Sequence, residues 1–233
     1  MPISNFNGRT FVAFIDISGF KQLMKDEKRA WKALDRFYSY GYEVIKENRQ
    51  HRQQNNIHVD GIFVSDSGIL FVRNSNNKIE CLKTVLMVVK KLNERMLDDD
   101  FMLTTSIAYG DFKYQERIEF EGIEKNPIYG NAYISAFLDN ETGKPRIQPG
   151  QCRIVKQNLP DKIAHFIEDI NNDEILCMVK KRDNDKEHYY FYWMVETPGE
   201  IEQFEKEYTD AYNLKYAGML KALKRNRDVR HFR

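Results

Sequence analysis

Cysteine is scarce in this chain. Its 233 residues include three, Cys81, Cys152 and Cys177, standing far apart with no C-x-x-C pair. That argues against a disulfide framework or a thiolate zinc site and fits a reducing cytosol. An excess of charge is also missing, because 36 basic residues face 35 acidic ones for a formal net charge of +1. A general nucleic-acid-binding surface needs a clear basic excess, so that class is set aside, whereas a small anion held by a few local groups stays compatible. Long apolar runs are absent as well. Stretches such as Val85–Val89 are far too short to span a bilayer. Met1–Arg9 holds no basic region leading into an apolar stretch, so no secretory signal is expected and the chain reads as soluble and cytoplasmic. No repeat, low-complexity tract or Gly/Ser-rich linker divides it.

What is present is ample core material, with 42 % hydrophobic and 13 % aromatic residues. Phe11–Ile15 is a short apolar run that predicts a buried central strand. Leu23, Trp31, Leu34, Phe37, Tyr38 and Ile45 recur at helical spacing, and the polar Asn48–Asn56 segment reads as a loop. Ile57–Val64 and Ile69–Val72 predict two strands joined by the turn Ser65-Asp66-Ser67-Gly68. A second amphipathic helix covers Ile79–Leu97, and a strand Leu103–Tyr109 ends at Gly110. Strand, helix, hairpin, helix, strand is the order of a ferredoxin-like α+β core, with an antiparallel sheet and helices on one face. Beyond Pro160, Ile163–Ile170 predicts a short helix. Ile175–Val179 and Tyr189–Met194 predict a hairpin around Lys180–Glu187. One long helix is expected from about Gly199 to Arg225, with the basic end Lys221–Arg233 frayed. Residues 1–156 are therefore read as the core and 157–233 as an extension packed on it.

Three segments could carry chemistry. In Phe14-Ile15-Asp16-Ile17-Ser18-Gly19-Phe20, a carboxylate at the end of a buried strand precedes a glycine turn into a helix. Asp16 could ligate a hard cation, and the amides of Ile17, Ser18, Gly19 and Phe20 could face phosphate oxygens; Asp16 as a helix cap and Gly19 as a turn residue is the plainer alternative. Asp66, at the hairpin tip, could simply bond its own backbone. In a ferredoxin-like core, however, the first strand and this hairpin are neighbours, so Asp16 and Asp66 could share two metal ions roughly 3.5–4 Å apart. Asp60 is a weaker competitor, lying within the strand. The third segment, Asn126–Ala136, runs through Gly130-Asn131 into a helix of small residues and reads, unaided, as helix packing.

Together these segments resemble the class III adenylate/guanylate cyclase family. Asp16-Ile17-Ser18-Gly19-Phe20 is similar to the family's Asp-Ile-x-Gly-Phe signature, and Ser65-Asp66 to its hairpin Gly-Asp. Ser106-Ile107-Ala108-Tyr109-Gly110, Ile128-Tyr129-Gly130-Asn131 and Pro149-Gly150-Gln151 follow in the family's order, so the match covers roughly residues 10–156. The resemblance implies that Asp16, the Ile17 main chain and Asp66 hold two Mg²⁺ or Mn²⁺ ions. It implies a nucleoside triphosphate substrate, and a homodimer with each site between subunits. There are departures. The position that reads a purine base is Ile62, and its partner is Pro127, so both base-reading side chains are missing from the nucleobase pocket. The family's transition-state Asn and Arg fall on Ile134 and Leu138; Lys144, Arg146 and Arg153, which follow that helix, are the substitute cations, each also readable as an ordinary surface charge. The chain looks most like the stand-alone pyrimidine cyclases of bacterial anti-phage (Pycsar) systems, whose cyclic UMP or cyclic CMP is read by a separate effector protein. A purine cyclase and a catalytically inactive cyclase-like module are the alternatives.

Overall fold

The computed structural model describes residues 3–51, 57–73, 77–115, 117–120, 123–125, 127–169, 173–212 and 215–228. In chain order the elements begin with β1 (Phe6–Ile17), one turn of helix α1 (Phe20–Leu23), α2 (Glu27–His51), β2 (His58–Val64), β3 (Ser67–Arg73), α3 (Lys78–Asp98) and β4 (Leu103–Tyr114). There follow β5 (Arg117–Phe120), β6 (Ile123–Lys125), β7 (Ile128–Tyr129), α4 (Asn131–Thr142) and β8 (Cys152–Val155). The rest is α5 (Asp161–Asp169), β9 (Val179–Arg182), β10 (Asp185–Phe191), α6 (Ile201–Tyr212) and α7 (Lys215–Asp228). No helix among the described residues is long and apolar enough to cross a membrane.

The main sheet runs β2-β3-β1-β4-β8-β10-β9, with β7 added to β4 and β5–β6 forming a separate ribbon. Its first four strands are antiparallel neighbours; the junction between β4 and β8 is parallel. Because Phe11–Ile15 is apolar at every position, β1 buries both of its faces. Phe11, Ala13, Ile15 and Ile17 pack beneath α2 and α3, with Phe37, Val44, Val85 and Leu92. Val12 and Phe14 join Phe71, Ala108 and Phe112 under Ala132 and Ala136 of α4. Helices thus cover both faces where the sequence reading put them on one: the second face is apolar too, and α4 shields it.

Three boundaries also differ. Helix α2 continues to His51, into the segment expected to be a loop. Residues 52–56 of that loop lie outside the described residues, as do 229–233 of the end expected to fray from Lys221, whose first part is helical as far as Asp228. Ile175 and Leu176 do not begin a strand, because the Asp173 carboxylate accepts both of their amides at 3.0 and 2.9 Å and winds Leu176–Met178 into a 3₁₀ turn. The single long helix expected near the end is two, α6 and α7, packed on each other. Each has its own apolar stripe, Ile201, Phe204 and Tyr208 on one and Met219 and Leu223 on the other, and both stripes enter the same core. Through the pairing of β10 with β8, the hairpin β9–β10 continues the main sheet.

The junction between α4 and this hairpin is ionic and buried. The Asp139 carboxylate of α4 accepts from Arg153 of β8 (2.7 Å from both Nε and Nη2) and from the Ser106 hydroxyl at 2.6 Å, and its Oδ1 lies 2.7 Å from His188 Nε2. His188 Nδ1 lies 2.9 Å from the Asp185 carboxylate, which also accepts the Tyr190 hydroxyl at 2.5 Å. Arg153 has no solvent exposure. Such a pair is costly to break because the surviving charge cannot reach water. Arg153→Met should therefore destabilise the protein by about 3–5 kcal/mol, read as a lowered urea midpoint with an unchanged slope.

Candidate active site

Asp16 stands one residue from the end of β1, and its position on the sheet is fixed from both sides. It is opposite Ser67 on β3 and Thr104 on β4. Val64 pairs with Ser67, leaving Ser65 and Asp66 as a two-residue turn with Ser65 in the left-handed region at φ 55°. The Ile17 amide donates to the Asp66 carbonyl at 3.0 Å, so the hairpin tip is tied to the end of β1 directly beside Asp16. The Ser67 hydroxyl donates to Asp16 Oδ1 at 3.1 Å. Burial, the Asp66 charge and, more weakly, Glu141 push the Asp16 carboxyl up to about 7, against which the Ser67 hydrogen bond acts.

The turn after Asp16 is held as tightly. The Ser18 amide donates to the Met102 carbonyl at 2.8 Å. Gly19 takes φ 73°, a left-handed conformation that favours glycine, and starts α1. With the Ile17 and Ser18 amides bonded to carbonyls, Gly19 and Phe20 are the members of the predicted phosphate-facing set whose amides have no backbone acceptor among the described residues. The Ser18 hydroxyl is buried with no hydrogen-bond partner among them.

The remaining predicted residues are scattered. Ile62 pairs with Ile69, itself opposite Phe14, so it lies two strands from β1 near the register of Asp16. Pro127 is at the far end of β4, its carbonyl accepting the Gln115 amide at 3.2 Å. Tyr114 pairs with Ile128 and Thr104 with Asp16, which separates Pro127 from Asp16 by roughly 30 Å along the strand. Lys144 and Arg146 are exposed on the loop after α4 and form no ion pair among the described residues. Arg153 is corrected: it is not a surface charge or a free cation but is fully engaged with Asp139 and the Pro145 carbonyl. Asp60 is likewise no ligand, being buried between Arg49 and Arg73. The sequence reading missed Ser67 and Glu141, which act on Asp16. It also missed Asn140, whose carboxamide oxygen accepts the Thr104 hydroxyl at 3.1 Å while its buried nitrogen has no partner among the described residues.

Ile134 and Leu138, the positions at which the sequence resemblance puts a transition-state Asn and Arg, are 50 % and 48 % exposed. Phe137 is exposed on the same helix at i+3 from Ile134, Tyr129 is exposed on β7 just before it, and Phe137 meets Phe14 edge-on at 5.2 Å.

The donor set fits a divalent cation. Asp16 faces a second carboxylate and, among the described residues, no basic side chain, an arrangement relieved by a hard ion bound through oxygen. Among the described residues no group of three or more His, Cys, Asp or Glu side chains forms a closed metal cage, so substrate oxygens or water would complete the coordination.

No protein-family profile matches the sequence, and no curated protein matches it. Solved structures do. The guanylate cyclase domain of RhGC from Catenaria anguillulae, in complex with GTP, superposes with a TM-score of 0.53 at 10 % identity, covering 81 % of this chain and 97 % of that one. A bacterial light-regulated adenylyl cyclase does so with a TM-score of 0.52 at 10 % identity, covering 95 % of this chain and 99 % of that one. The chain therefore has the α+β fold of the class III nucleotide cyclases.

The folded carboxyl of Asp16 holds its proton more tightly than the unfolded one. Its contribution to stability is present below about pH 3.8 and is lost as the pH rises to about 7. In metal-free protein, Asp16→Asn should raise the thermal midpoint at pH 8 by roughly 5 °C and leave it unchanged at pH 4. Mn²⁺ should raise the wild-type midpoint at pH 8, raise it less at pH 6, and leave the variant unmoved.

Proposed function

We propose that the protein is a nucleotide cyclase that acts on a pyrimidine triphosphate, UTP ahead of CTP. It would release pyrophosphate and a 3′,5′-cyclic nucleotide that a separate effector reads in bacterial anti-phage defence. The observation that carries this reading is the bond from the Ile17 amide to the Asp66 carbonyl, which ties a second carboxylate beside Asp16 on a cyclase fold. Asp16, Asp66 and the Ile17 main-chain carbonyl would hold two divalent ions, which when bound activate the ribose 3′-oxygen and neutralise the departing phosphate. The amides of Gly19 and Phe20 would orient the β- and γ-phosphates. Lys144 and Arg146, exposed and without ion pairs among the described residues, are the remaining predicted cations for the charge developing at phosphorus. Ile62 and Pro127 offer no side-chain hydrogen bond to a purine edge, which supports a smaller base read by other groups.

Two copies of the chain complete the site in this reading. Pro127 lies roughly 30 Å from Asp16 within one chain, so a nucleotide at Asp16 cannot also touch the same copy's Pro127. The apolar surface of Tyr129, Ile134, Phe137 and Leu138 suits an isologous two-fold contact. Leu138→Glu should make the protein monomeric on size-exclusion chromatography and lower turnover at least ~100-fold. The engagement of Arg153 in the core favours one second reading, a module that binds a metal–triphosphate without turnover.

Purified protein is incubated separately with ATP, GTP, CTP and UTP in Mn²⁺, and the products are identified by mass. A cyclic pyrimidine absent from an Asp66→Ala sample is expected. A cyclic purine would overturn the base assignment, and triphosphate binding with no product would establish the silent module.

A further inference from the structure

The segment after residue 156 reaches the phosphate-facing turn through one side chain. Tyr216, in the first turn of α7, accepts the Met102 amide at 3.2 Å on its hydroxyl oxygen and donates to the Asp100 carbonyl at 3.4 Å. Both partners belong to the connection between α3 and β4, where Asp100 is left-handed at φ 68°. The carbonyl of the same Met102 accepts the Ser18 amide at 2.8 Å. The Tyr216 ring also lies against Gly19, close enough that a Cβ there would sit 3.8 Å from it. Two turns further along α7, Lys224 forms an ion pair with Asp100 at 2.5 Å. One helix therefore grips the Asp100–Met102 connection at two points and packs on the turn that this connection holds.

We infer that Tyr216 is a positioning residue for the Ile17–Phe20 turn, through which α7 sets the direction of the Gly19 and Phe20 amides toward the phosphates of a metal–triphosphate. The inference rests on the cyclase reading for its ligand but concerns binding, not the chemical step. The Tyr216 hydroxyl fixes Met102, Met102 fixes Ser18, and the next two amides inherit their direction from Ser18. Removing the hydroxyl leaves the ring on Gly19 and frees the Asp100–Met102 connection to rotate its peptides toward water. That loosens a ground-state contact, so the KM rises while kcat stays near its wild-type value.

The test compares wild type with Tyr216→Phe, Tyr216→Leu and Tyr208→Phe. Tyr208 is on α6, and its hydroxyl donates to the Pro149 carbonyl at 2.5 Å rather than to the Asp100–Met102 connection. It therefore reports the general cost of losing a hydroxyl bond from this helix pair. Binding of Mn²⁺–UTP is measured by calorimetry, and KM and kcat with whichever triphosphate is turned over. Tyr216→Phe should weaken binding and raise KM about fivefold, and Tyr216→Leu more, with kcat within about twofold. Tyr208→Phe should lower the thermal midpoint comparably and leave binding unchanged. Wild-type binding in both Tyr216 variants, or an equal loss in Tyr208→Phe, would overturn the inference and leave the cyclase reading standing. Tyr216-dependent binding by a wild type that makes no cyclic product would do the reverse. A wild type that binds neither Mn²⁺–UTP nor any of the other three triphosphates would sink both.

Discussion

Strand β1 is bonded along both edges, to β3 and to β4, and is apolar on both faces. It cannot slide by one residue without turning a row of Phe, Val and Ile from one packed layer into the other. The end of that strand is consequently a fixed point, and each group around Asp16 is referred to it. The hairpin tip reaches it through the Ile17 amide, the α3–β4 connection through the Ser18 amide, and α4 through Thr104 and Asn140. A constellation built on a central strand is held more precisely than one on loops.

Asp16 differs from the buried carboxylates Asp60, Asp139 and Asp185 in its company. Asp60 lies between two arginines, Asp139 between Arg153 and His188, and Asp185 beside His188 and the Tyr190 hydroxyl. For Asp139 and Asp185 these partners outweigh burial and hold the carboxyl below its usual range. Asp16 has one hydroxyl and a neighbouring carboxylate, and its carboxyl is held above that range. The same fold thus treats buried anions in two ways, neutralising those that join elements and setting the one at the end of β1 beside a second carboxylate.

Much of this was legible in local pattern. The run Phe11–Ile15, the Ser65–Asp66 turn and the periodicity of α3 each announce an element, and their order gives the core. The positions of Asp16 and Asp66 follow from that order because neighbouring strands bring them together. Arg153 was not legible: its partner Asp139 is 14 residues away in sequence and is held from a third element by His188, and a lone arginine after the Pro149-Gly150 turn looks like surface. The same holds for Tyr216, separated by 114 residues from the amide it binds. Local propensity also continues a helix from α6 into α7, whereas the structure has two helices whose stripes share one core.

The sheet closes on one side with β9, whose sequence is Val179-Lys180-Lys181-Arg182. An outermost strand carries a row of backbone groups open to pairing with another chain, and charged side chains along it discourage that pairing. Here Lys181 and Arg182 are tied to Glu168 and Glu205, so the guard is a set of fixed ion pairs together with Lys180. The exposed face of α4, with Ile134, Phe137 and Leu138, carries no charge of that kind, so in the two-copy reading proposed above the chains meet helix on helix and not through the continuous sheets by which β-rich proteins aggregate.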